Sequence, residues 1–194
     1  MIVGWMVATT ENASLAGQLL TKTMKAHGIE EGTLTVHSDR GAPMTAGSMA
    51  TLLATLGVTQ SLSRPRVSND NPFVESFFKT AKYQPDYPGR FASAEHVRGW
   101  FAQLFDWYCH SHHHEGLALF TPAEVFEGRV AEVAAVRQAA LDQAYAEHPE
   151  RFVRGRPVVR MPPTRAHINL RRDDHQPAHP PTKHEVIPTG PHHQ

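Results

Sequence analysis

The first 62 residues alternate between short apolar runs and stretches of helical periodicity. Residues 2–7 form a continuous apolar run, too short for a helix, which predicts a strand buried on both faces. Residues 12–27 place leucines and a methionine at helical spacing and end at Gly28, and residues 34–36 supply the next strand. This strand–helix–strand order predicts a parallel pair joined by a crossover helix, with functional groups beyond the carboxyl ends of the strands.

Further along the chain, helix signals predominate. A helix predicted from about residue 45 ends at Gly57, and a weaker strand follows at 58–62. Pro72 stands at the first position of the next predicted helix, and Ser93 caps the one after it. Strands followed by helices in this order predict the α/β fold class.

The last third of the chain changes from helical to irregular. Thr121 and Glu124 form a capping box, and residues 130–146 favour a helix because alanine is frequent there. Beyond Pro157, prolines, histidines and charged residues replace the apolar periodicity. This change predicts a disordered tail at 160–194.

Charge is balanced over the whole chain but not locally. Lysine plus arginine and aspartate plus glutamate both number 19, so the net charge gives no general sign of a nucleic-acid partner. Residues 151–172 nevertheless contain seven arginines and no acidic residue. Such a basic stretch is typical of a solvated tail, and contact with phosphate is the alternative interpretation.

The composition also limits the class of protein. Cys109 is the single cysteine, which excludes an internal disulfide and a thiolate zinc site and fits a reducing cytosol. No apolar stretch approaches the roughly 20 residues of a membrane span, so we expect a cytoplasmic protein without a membrane partner. The consecutive histidines at 112–114 do not predict a zinc site, because no cysteine or carboxylate lies at zinc-ligand spacing from them.

The helix that starts at Pro72 carries charged residues beside an apolar face. Glu75, Lys79 and Lys82 are separated by four and three residues and therefore project from one side. We expect an adjacent apolar face to anchor the helix to the sheet, and its members are Val74, Phe77, Phe78 and Ala81. Taken alone, the charged residues are typical of a solvated helix surface with a weak ion pair.

Three motifs in combination carry more information than any one of them. They are the run His37-Ser38-Asp39-Arg40-Gly41, the tripeptide Ser63-Arg64-Pro65, and residues 70–80, which read DNPFVESFFKT. This combination resembles the catalytic core of bacterial insertion-sequence transposases of the retroviral-integrase-like D-D-E superfamily. Asp39 and Glu75 have 35 residues between them, the spacing that this family uses between its second and third catalytic acids.

The resemblance covers about residues 1–128. It continues through Trp107-Tyr108 and the histidines at 112–114 to the Thr-Pro-Ala motif at 121–123. Cys109 departs from the pattern, because the family usually has asparagine after the tyrosine.

The resemblance implies a ribonuclease H-like fold and a metal-dependent site. Residues 2–7 resemble the third strand of that fold, so the first two strands and the first catalytic aspartate are missing from this chain. Asp39 and Glu75 would be the catalytic metal ligands, in a site that holds two Mg²⁺ or Mn²⁺ ions when complete. With only two acids, one ion would bind weakly. Glu11 is the acid nearest to the sheet before Asp39, and we do not expect it to substitute.

The resemblance also implies contacts with DNA. Lys82 lies seven residues after Glu75, where the family has a basic residue that contacts DNA near the reacting end. The expected DNA-binding residues are Lys82, Lys79, Arg64 and Arg66.

Three functional hypotheses remain open. The first is an incomplete transposase, a polynucleotidyl transferase by class, which is inactive in DNA cleavage and strand transfer by itself. The second adds the missing part through self-association or an upstream transposase fragment. The third is a non-enzymatic DNA-binding or assembly module derived from a transposase. All three assign residues 1–128 to a partial integrase core, 129–159 to a helical extension and 160–194 to the tail.

Overall fold

The structure is a computed structural model that describes residues 1–65, 70 and 72–165. Its elements in chain order are α1 (Ala13–Ala26), β1 (Thr35–Ser38), α2 (Ala42–Thr45), α3 (Gly47–Thr55), β2 (Thr59–Leu62), α4 (Pro72–Lys82), α5 (Ala94–His110), α6 (Pro122–Phe126) and α7 (Val130–Glu147). Short 3₁₀ turns occupy Glu115–Leu117 and Pro149–Arg151. The described part of the chain is thus a mixed fold of helices and a small sheet.

Local capping signals set the helix boundaries. The side chains of Asn12 and Ser93 accept backbone N–H bonds three residues ahead, at the starts of α1 and α5. Thr121 and Glu124 form the capping box at the start of α6, and Pro72 is the first residue of α4. The predictions of these starts are confirmed.

The sheet consists of β1 and β2, which pair in parallel. Thr35 lies opposite Thr59, and Ser38 lies opposite Leu62. The helices α2 and α3 form the crossover between the two strands. The prediction of a parallel pair between residues 2–7 and the next strand is therefore wrong.

Residues 1–8 lie over α1 and α5 and have no strand partner in the described part of the chain. The Val3 carbonyl accepts a hydrogen bond from His27 Nε2 of α1 at 3.1 Å. The Trp5 ring packs edge-on against Phe105 of α5, with 5.2 Å between ring centres. These residues make isolated contacts instead of pairing with another strand, so the apolar run at 2–7 is only partly covered. The prediction of a strand buried on both faces is therefore wrong.

The helix predicted from about residue 45 is α3, which begins at Gly47 because Ala46 adopts an extended conformation, and a short helix that was not predicted, α2, precedes it. Gly57 ends α3, as the sequence predicts, with φ at +61°. A β-carbon at this position would lie 2.9 Å from the backbone nitrogen of Gly32. The turn that leads into β2 therefore requires glycine at this position.

Two clusters of buried side chains stabilise the fold. The aliphatic core lies between α1, α3 and the sheet and consists of Met24, Met49, Leu53 and Val58. The aromatic core lies between α4 and α5 and consists of Phe77, Ala81, Trp100 and Leu104. The apolar side of α5 is therefore packed inside the molecule.

The helical extension packs against the loop before α6. The Arg137 guanidinium of α7 lies 4.3 Å from the centre of the Phe120 ring. The chain then returns along α7, where the Gln138 amide donates to the Pro157 carbonyl and accepts from the Val159 N–H.

Most of the predicted tail at 160–194 lies outside the described residues, which end at 165. In the described ranges, none of the helices combines the length and the apolar character that crossing a bilayer requires.

Candidate functional site

Asp39 directly follows β1 and is exposed at the carboxyl end of the sheet. Its Oδ1 accepts the Gly41 backbone N–H at 3.0 Å, a local bond that short acidic side chains make in turns. Ser63 N donates to the Ser38 carbonyl at 2.9 Å, and Arg40 Nε donates to the Ser63 carbonyl at 2.9 Å. These bonds join the ends of the two strands, so Asp39 stands on a well-fixed part of the backbone.

Glu75 lies in the first turn of α4 and is exposed. A carboxylate is favoured there because the helix N-terminus carries partial positive charge. Phe77 and Ala81 of the same helix are buried in the aromatic core. Val74 and Phe78, by contrast, are 46% and 48% exposed, so the prediction that they anchor the helix to the sheet is wrong. The physical reason is that α4 packs on α5 rather than on the sheet, and it does so through Phe77 and Ala81, which leaves Val74 and Phe78 at the margin of the contact.

Lys79 and Lys82 lie in the last turn of α4, where the helix dipole favours positive charge. Both are exposed, and within the part of the chain that the structure describes neither has an ion-pair partner. Their ammonium groups are therefore accessible to an anionic ligand. Their contact with DNA stays a prediction.

An ion pair with a buried carboxylate and an exposed guanidinium lies between β2 and α4. The Asp70 carboxylate accepts the backbone N–H of Arg64 at 2.7 Å and its guanidinium Nε and Nη2 at 3.0 Å each. Asp70 is only 3% exposed, whereas the Arg64 side chain is 62% exposed. The hydrogen bond from Arg64 lowers the pKa of Asp70 from 3.8 to about 2, against the opposing effect of burial.

His37 of β1 contacts the same residue from the side of the sheet. Its Nε2 lies 2.8 Å from the Asp70 carbonyl, and its Nδ1 lies 2.9 Å from Ser61 Oγ of β2. Because a carbonyl can only accept, the proton belongs on Nε2, and Nδ1 accepts from the serine hydroxyl. His37, Arg64 and Asp70 therefore connect both strands with the start of α4, and we call this group the polar clasp.

The structure describes one of the two arginines that are predicted to contact DNA, Arg64, but not the other, Arg66. Arg66 lies outside the described residues. Arg64 uses part of its guanidinium to bind Asp70, and the rest of the side chain remains accessible. A role of Arg64 on the DNA backbone stays a prediction, beside the structural role that the contacts establish.

Glu11 lies near Asp39, a proximity that the sequence does not predict. Oε1 of Glu11 is 3.8 Å, and Oδ1 of Asp39 is 3.1 Å, from the point where a β-carbon on Gly41 would sit. The only signal in the sequence is that Glu11 follows the first apolar run. The polar clasp was also missed, because its contacts depend on the packing of α4 beside the sheet.

The donor chemistry of Asp39 and Glu75 can be compared with the needs of a metal ion. Carboxylate oxygens are hard ligands that suit Mg²⁺ and Mn²⁺, and Mg²⁺ is commonly held by one or two carboxylates together with water. Within residues 1–65, 70 and 72–165, no group of three or more His, Cys, Asp or Glu side chains is placed to hold a metal ion. Two carboxylates suit at most a single weakly held ion, and a two-ion site needs further oxygen ligands. Asp39 and Glu75 as metal ligands stay a prediction.

Comparison with known proteins gives two matches. Residues 56–122 match the integrase core domain, a segment that contains Glu75, Lys79 and Lys82. The chain is also 27% identical over 124 residues to the "Transposase for insertion sequence element IS904" from Lactococcus lactis subsp. lactis (strain IL1403). The aligned region is 63% of this chain and 49% of the relative, so the chain spans about half the length of the curated relative that it matches. These findings confirm the resemblance to insertion-sequence transposases with an integrase core.

Proposed function

We propose that this chain is the part of a transposase core that carries two of three catalytic acids, Asp39 and Glu75. In this proposal it takes part in DNA transposition, in which a phosphodiester is cleaved at the end of a mobile element and the freed 3′-hydroxyl attacks target DNA. The chain by itself is inactive. A further segment, carried by an upstream transposase fragment, supplies the remaining carboxylate.

One observation supports the proposal above all others. Asp39 stands at the end of β1, Glu75 stands in the first turn of α4, and His37 of β1 is hydrogen-bonded to Asp70, two residues before α4. Carboxylates from separate elements can converge on a metal only if those elements are fixed relative to each other. The polar clasp supplies that connection.

The roles of the individual residues follow from their chemistry. Asp39 and Glu75 would hold the metal through carboxylate oxygens. A bound Mg²⁺ or Mn²⁺ would activate the attacking water or hydroxyl and neutralise charge on the phosphate. Lys79 and Lys82 would bind the DNA backbone one to two helical turns from Glu75, with Arg64 as a further contact.

The need for another segment is supported by the surfaces that the described residues leave open. A parallel sheet is normally covered on both faces and extended by further strands, whereas β1 and β2 form a two-stranded sheet in the described part of the chain. Trp5 and Met6 are 39% and 40% exposed, and Phe78 on α4 is 48% exposed. Trp5 and Phe77 both contact Phe105, and Phe77 contacts Phe78, so the exposed Trp5 and Phe78 both border the rings of the aromatic core. We infer that apolar strands of a ribonuclease H-like core cover these exposed side chains.

Reconstitution tests the proposal. The purified chain is incubated with Mg²⁺ and a labelled duplex that carries the end of its insertion sequence, with and without a co-expressed upstream segment that bears the first aspartate. We expect cleavage and joining only in the presence of that segment. Glu75→Gln should abolish both reactions. The control is Glu132→Gln, because Glu132 is also an acid in the first turn of an exposed helix, α7, and should leave activity unchanged.

Two results would contradict the proposal. Mg²⁺-dependent cleavage by the chain alone, lost in Glu75→Gln, would show that the chain is a complete enzyme. Absence of cleavage with the complementing segment, in both the unmodified chain and the Glu132→Gln control, would count against a catalytic role. Because the relative is a bacterial transposase, we propose the bacterial cytoplasm as the place of action.

A second candidate function is a DNA-binding or assembly module without catalysis. It is supported by arginines that follow α7 in the described residues and are exposed, namely Arg151, Arg154, Arg160 and Arg165. Arg156 in the same stretch forms an ion pair with Asp142 at 2.8 Å, so its charge is partly neutralised within the chain. Arg171 and Arg172, which extend this stretch in the sequence, lie outside the described residues.

Salt dependence of DNA binding distinguishes this candidate. Each phosphate neutralised should contribute about −0.9 to the slope of log affinity against log salt. Replacing the four exposed arginines by alanine should make that slope shallower by roughly 3 to 4. A matched control replaces Arg90 and Arg98, which lie away from this stretch. An unchanged slope in the four-arginine variant would contradict the module.

A further inference from the structure

Asp39 and Glu75 are attached to different cores. β1 packs with the aliphatic core through Val36, whereas α4 contributes Phe77 to the aromatic core. Apolar packing therefore fixes each acid within its own part of the molecule but does not set the distance between them. That distance depends on contacts which cross from one part to the other.

The polar clasp makes such a crossing, and its residues are close to both acids in the sequence. His37 is two residues before Asp39, and Asp70 is five residues before Glu75. One residue, Asp70, receives bonds from both strands: its carbonyl accepts from His37 of β1, and its carboxylate accepts from Arg64, two residues after β2. The strand ends are themselves joined through Ser38 and Ser63.

The hydrogen bonds of the polar clasp fix the orientation of the Asp70 carboxylate as well as its position. The carboxylate receives three N–H groups from one arginine, two of them from the planar guanidinium fork, which fixes its orientation. Burial of Asp70 excludes competing water, and burial would penalise the charge if the arginine were absent. The lowered pKa of Asp70 is consistent with a carboxylate that stays ionised in this position.

We propose that Asp70 is a positioning residue, which holds the Glu75 helix against the carboxyl end of the sheet so that Asp39 and Glu75 keep a fixed separation. This inference rests on the proposed function for its consequence in catalysis. The geometry itself can be tested without any activity, because it concerns the coupling of α4 to the strands.

Hydrogen exchange of the full chain, without DNA or metal, is the primary test. Asp70→Asn keeps the size of the side chain and removes its charge. The backbone amides of residues 76–79 bond to the first carbonyls of α4 and report fraying of the turn that holds Glu75. We expect about tenfold faster exchange there and at the end of β2, since bonds to charged groups are among the stronger ones. The middle of α5 should change much less.

The matched control is Asp142→Asn. Asp142 forms an equivalent pair with Arg156, through guanidinium Nε at 2.9 Å and Nη2 at 2.8 Å, but lies on α7. Asp142→Asn should accelerate hydrogen exchange only in α7 and in the segment that returns along α7. Arg64→Ala provides a second variant on a largely exposed side chain, in case Asp70→Asn does not fold, and it should give the same pattern as Asp70→Asn.

The outcomes separate the inference from the proposed function. Unchanged exchange at 76–79 in both clasp variants, or an equal increase throughout α5, would overturn the positioning role even if the chain is active in transposition. In the reconstituted reaction, Asp70→Asn should lower kcat about tenfold or more with the KM for DNA nearly unchanged, as expected for lost alignment of the reacting groups. Equal loss of kcat in Asp142→Asn would show a general effect of stability and would likewise overturn the inference.

Discussion

The aliphatic core and the aromatic core are stabilised in different ways, and each carries one of the two candidate acids. The aliphatic core lies between two helices and a parallel strand pair whose backbone bonds fix the position of Asp39. The aromatic core depends on ring contacts, such as Phe77 with Tyr108 at 5.0 Å, and holds the helix of Glu75. Each acid is therefore well supported locally, while the relation between them depends on a few contacts.

Two kinds of contact bridge the cores. One is the polar clasp at the strand ends. The other is the first segment, in which Ile2 N donates to Cys109 Sγ of α5 at 3.3 Å while the Val3 carbonyl binds His27 of α1. The clasp is polar, whereas the first segment combines these hydrogen bonds with the packing of Trp5 on Phe105, so the clasp in particular sets geometry more than it adds stability. Perturbing a core and perturbing a bridge should therefore have different consequences.

The largest effects are expected from cavities within each core. Leu53→Ala should lower the free energy of unfolding by about 2–5 kcal/mol and Phe77→Ala by about 3–5 kcal/mol. Leu53 is 2% exposed and Phe77 is 9% exposed, so both truncations remove buried contacts. Urea unfolding measures the loss. Val136→Ala, at a side chain that is 68% exposed, is the control and should change stability by less than about 0.5 kcal/mol.

Hydrogen exchange shows where each cavity acts. We expect faster exchange mainly in α3 and β2 for Leu53→Ala and mainly in α4 and α5 for Phe77→Ala. Identical exchange patterns for the two variants would mean that the cores unfold as one unit and would contradict the comparison.

An intermediate effect on stability is expected when the pH is lowered, because acid protonates Asp70 in the polar clasp. The pKa of Asp70 is about 2 in the folded chain and 3.8 in the unfolded reference, so the unfolded state binds more protons as pH falls. The clasp therefore contributes stability that is fully present above about pH 4 and is lost between about pH 4 and pH 2. The measurement is denaturation of the unmodified chain and of Asp70→Asn across this pH range. The difference between their free energies of unfolding should become smaller as the pH falls. A constant difference would contradict the ion pair as its cause.

The helices could be predicted from the sequence because their signals are local. Pro72, Ser93 and Thr121 each mark a helix start through bonds within a few residues. The three motifs likewise led to the resemblance to insertion-sequence transposases that the comparisons support. Whether the two carboxylates share a metal remains a prediction.

The errors lie where burial depends on distant partners. Residues 2–7 have the composition of a buried strand, but a strand also needs a neighbour, and composition does not supply one. Val74 and Phe78 are apolar at helical spacing, yet α4 turns Phe77 and Ala81 to α5 instead. Asp70 was read only as part of a motif, because its contact with Arg64 and His37 exists only after the sheet and α4 have packed.

The smallest effects, and the sharpest test of separate cores, come from matched helix caps. Asn12 caps α1 beside the aliphatic core, and Ser93 caps α5 beside the aromatic core. Replacing either by alanine should lower the free energy of unfolding by about 1 kcal/mol. The three tryptophans lie in or against the aromatic core, so fluorescence reports that part, whereas circular dichroism reports all helices.

We expect Ser93→Ala to shift the unfolding midpoint measured by fluorescence as well as the one measured by circular dichroism. Asn12→Ala should shift the fluorescence midpoint clearly less than the dichroism midpoint. This difference arises only if the bridges between the cores are weak compared with the packing inside them. Equal shifts of both midpoints by both variants would show that the bridges couple the cores fully. In that case the position of Glu75 relative to Asp39 would be a property of the whole fold, and Asp70 would contribute to it no more than any other buried residue.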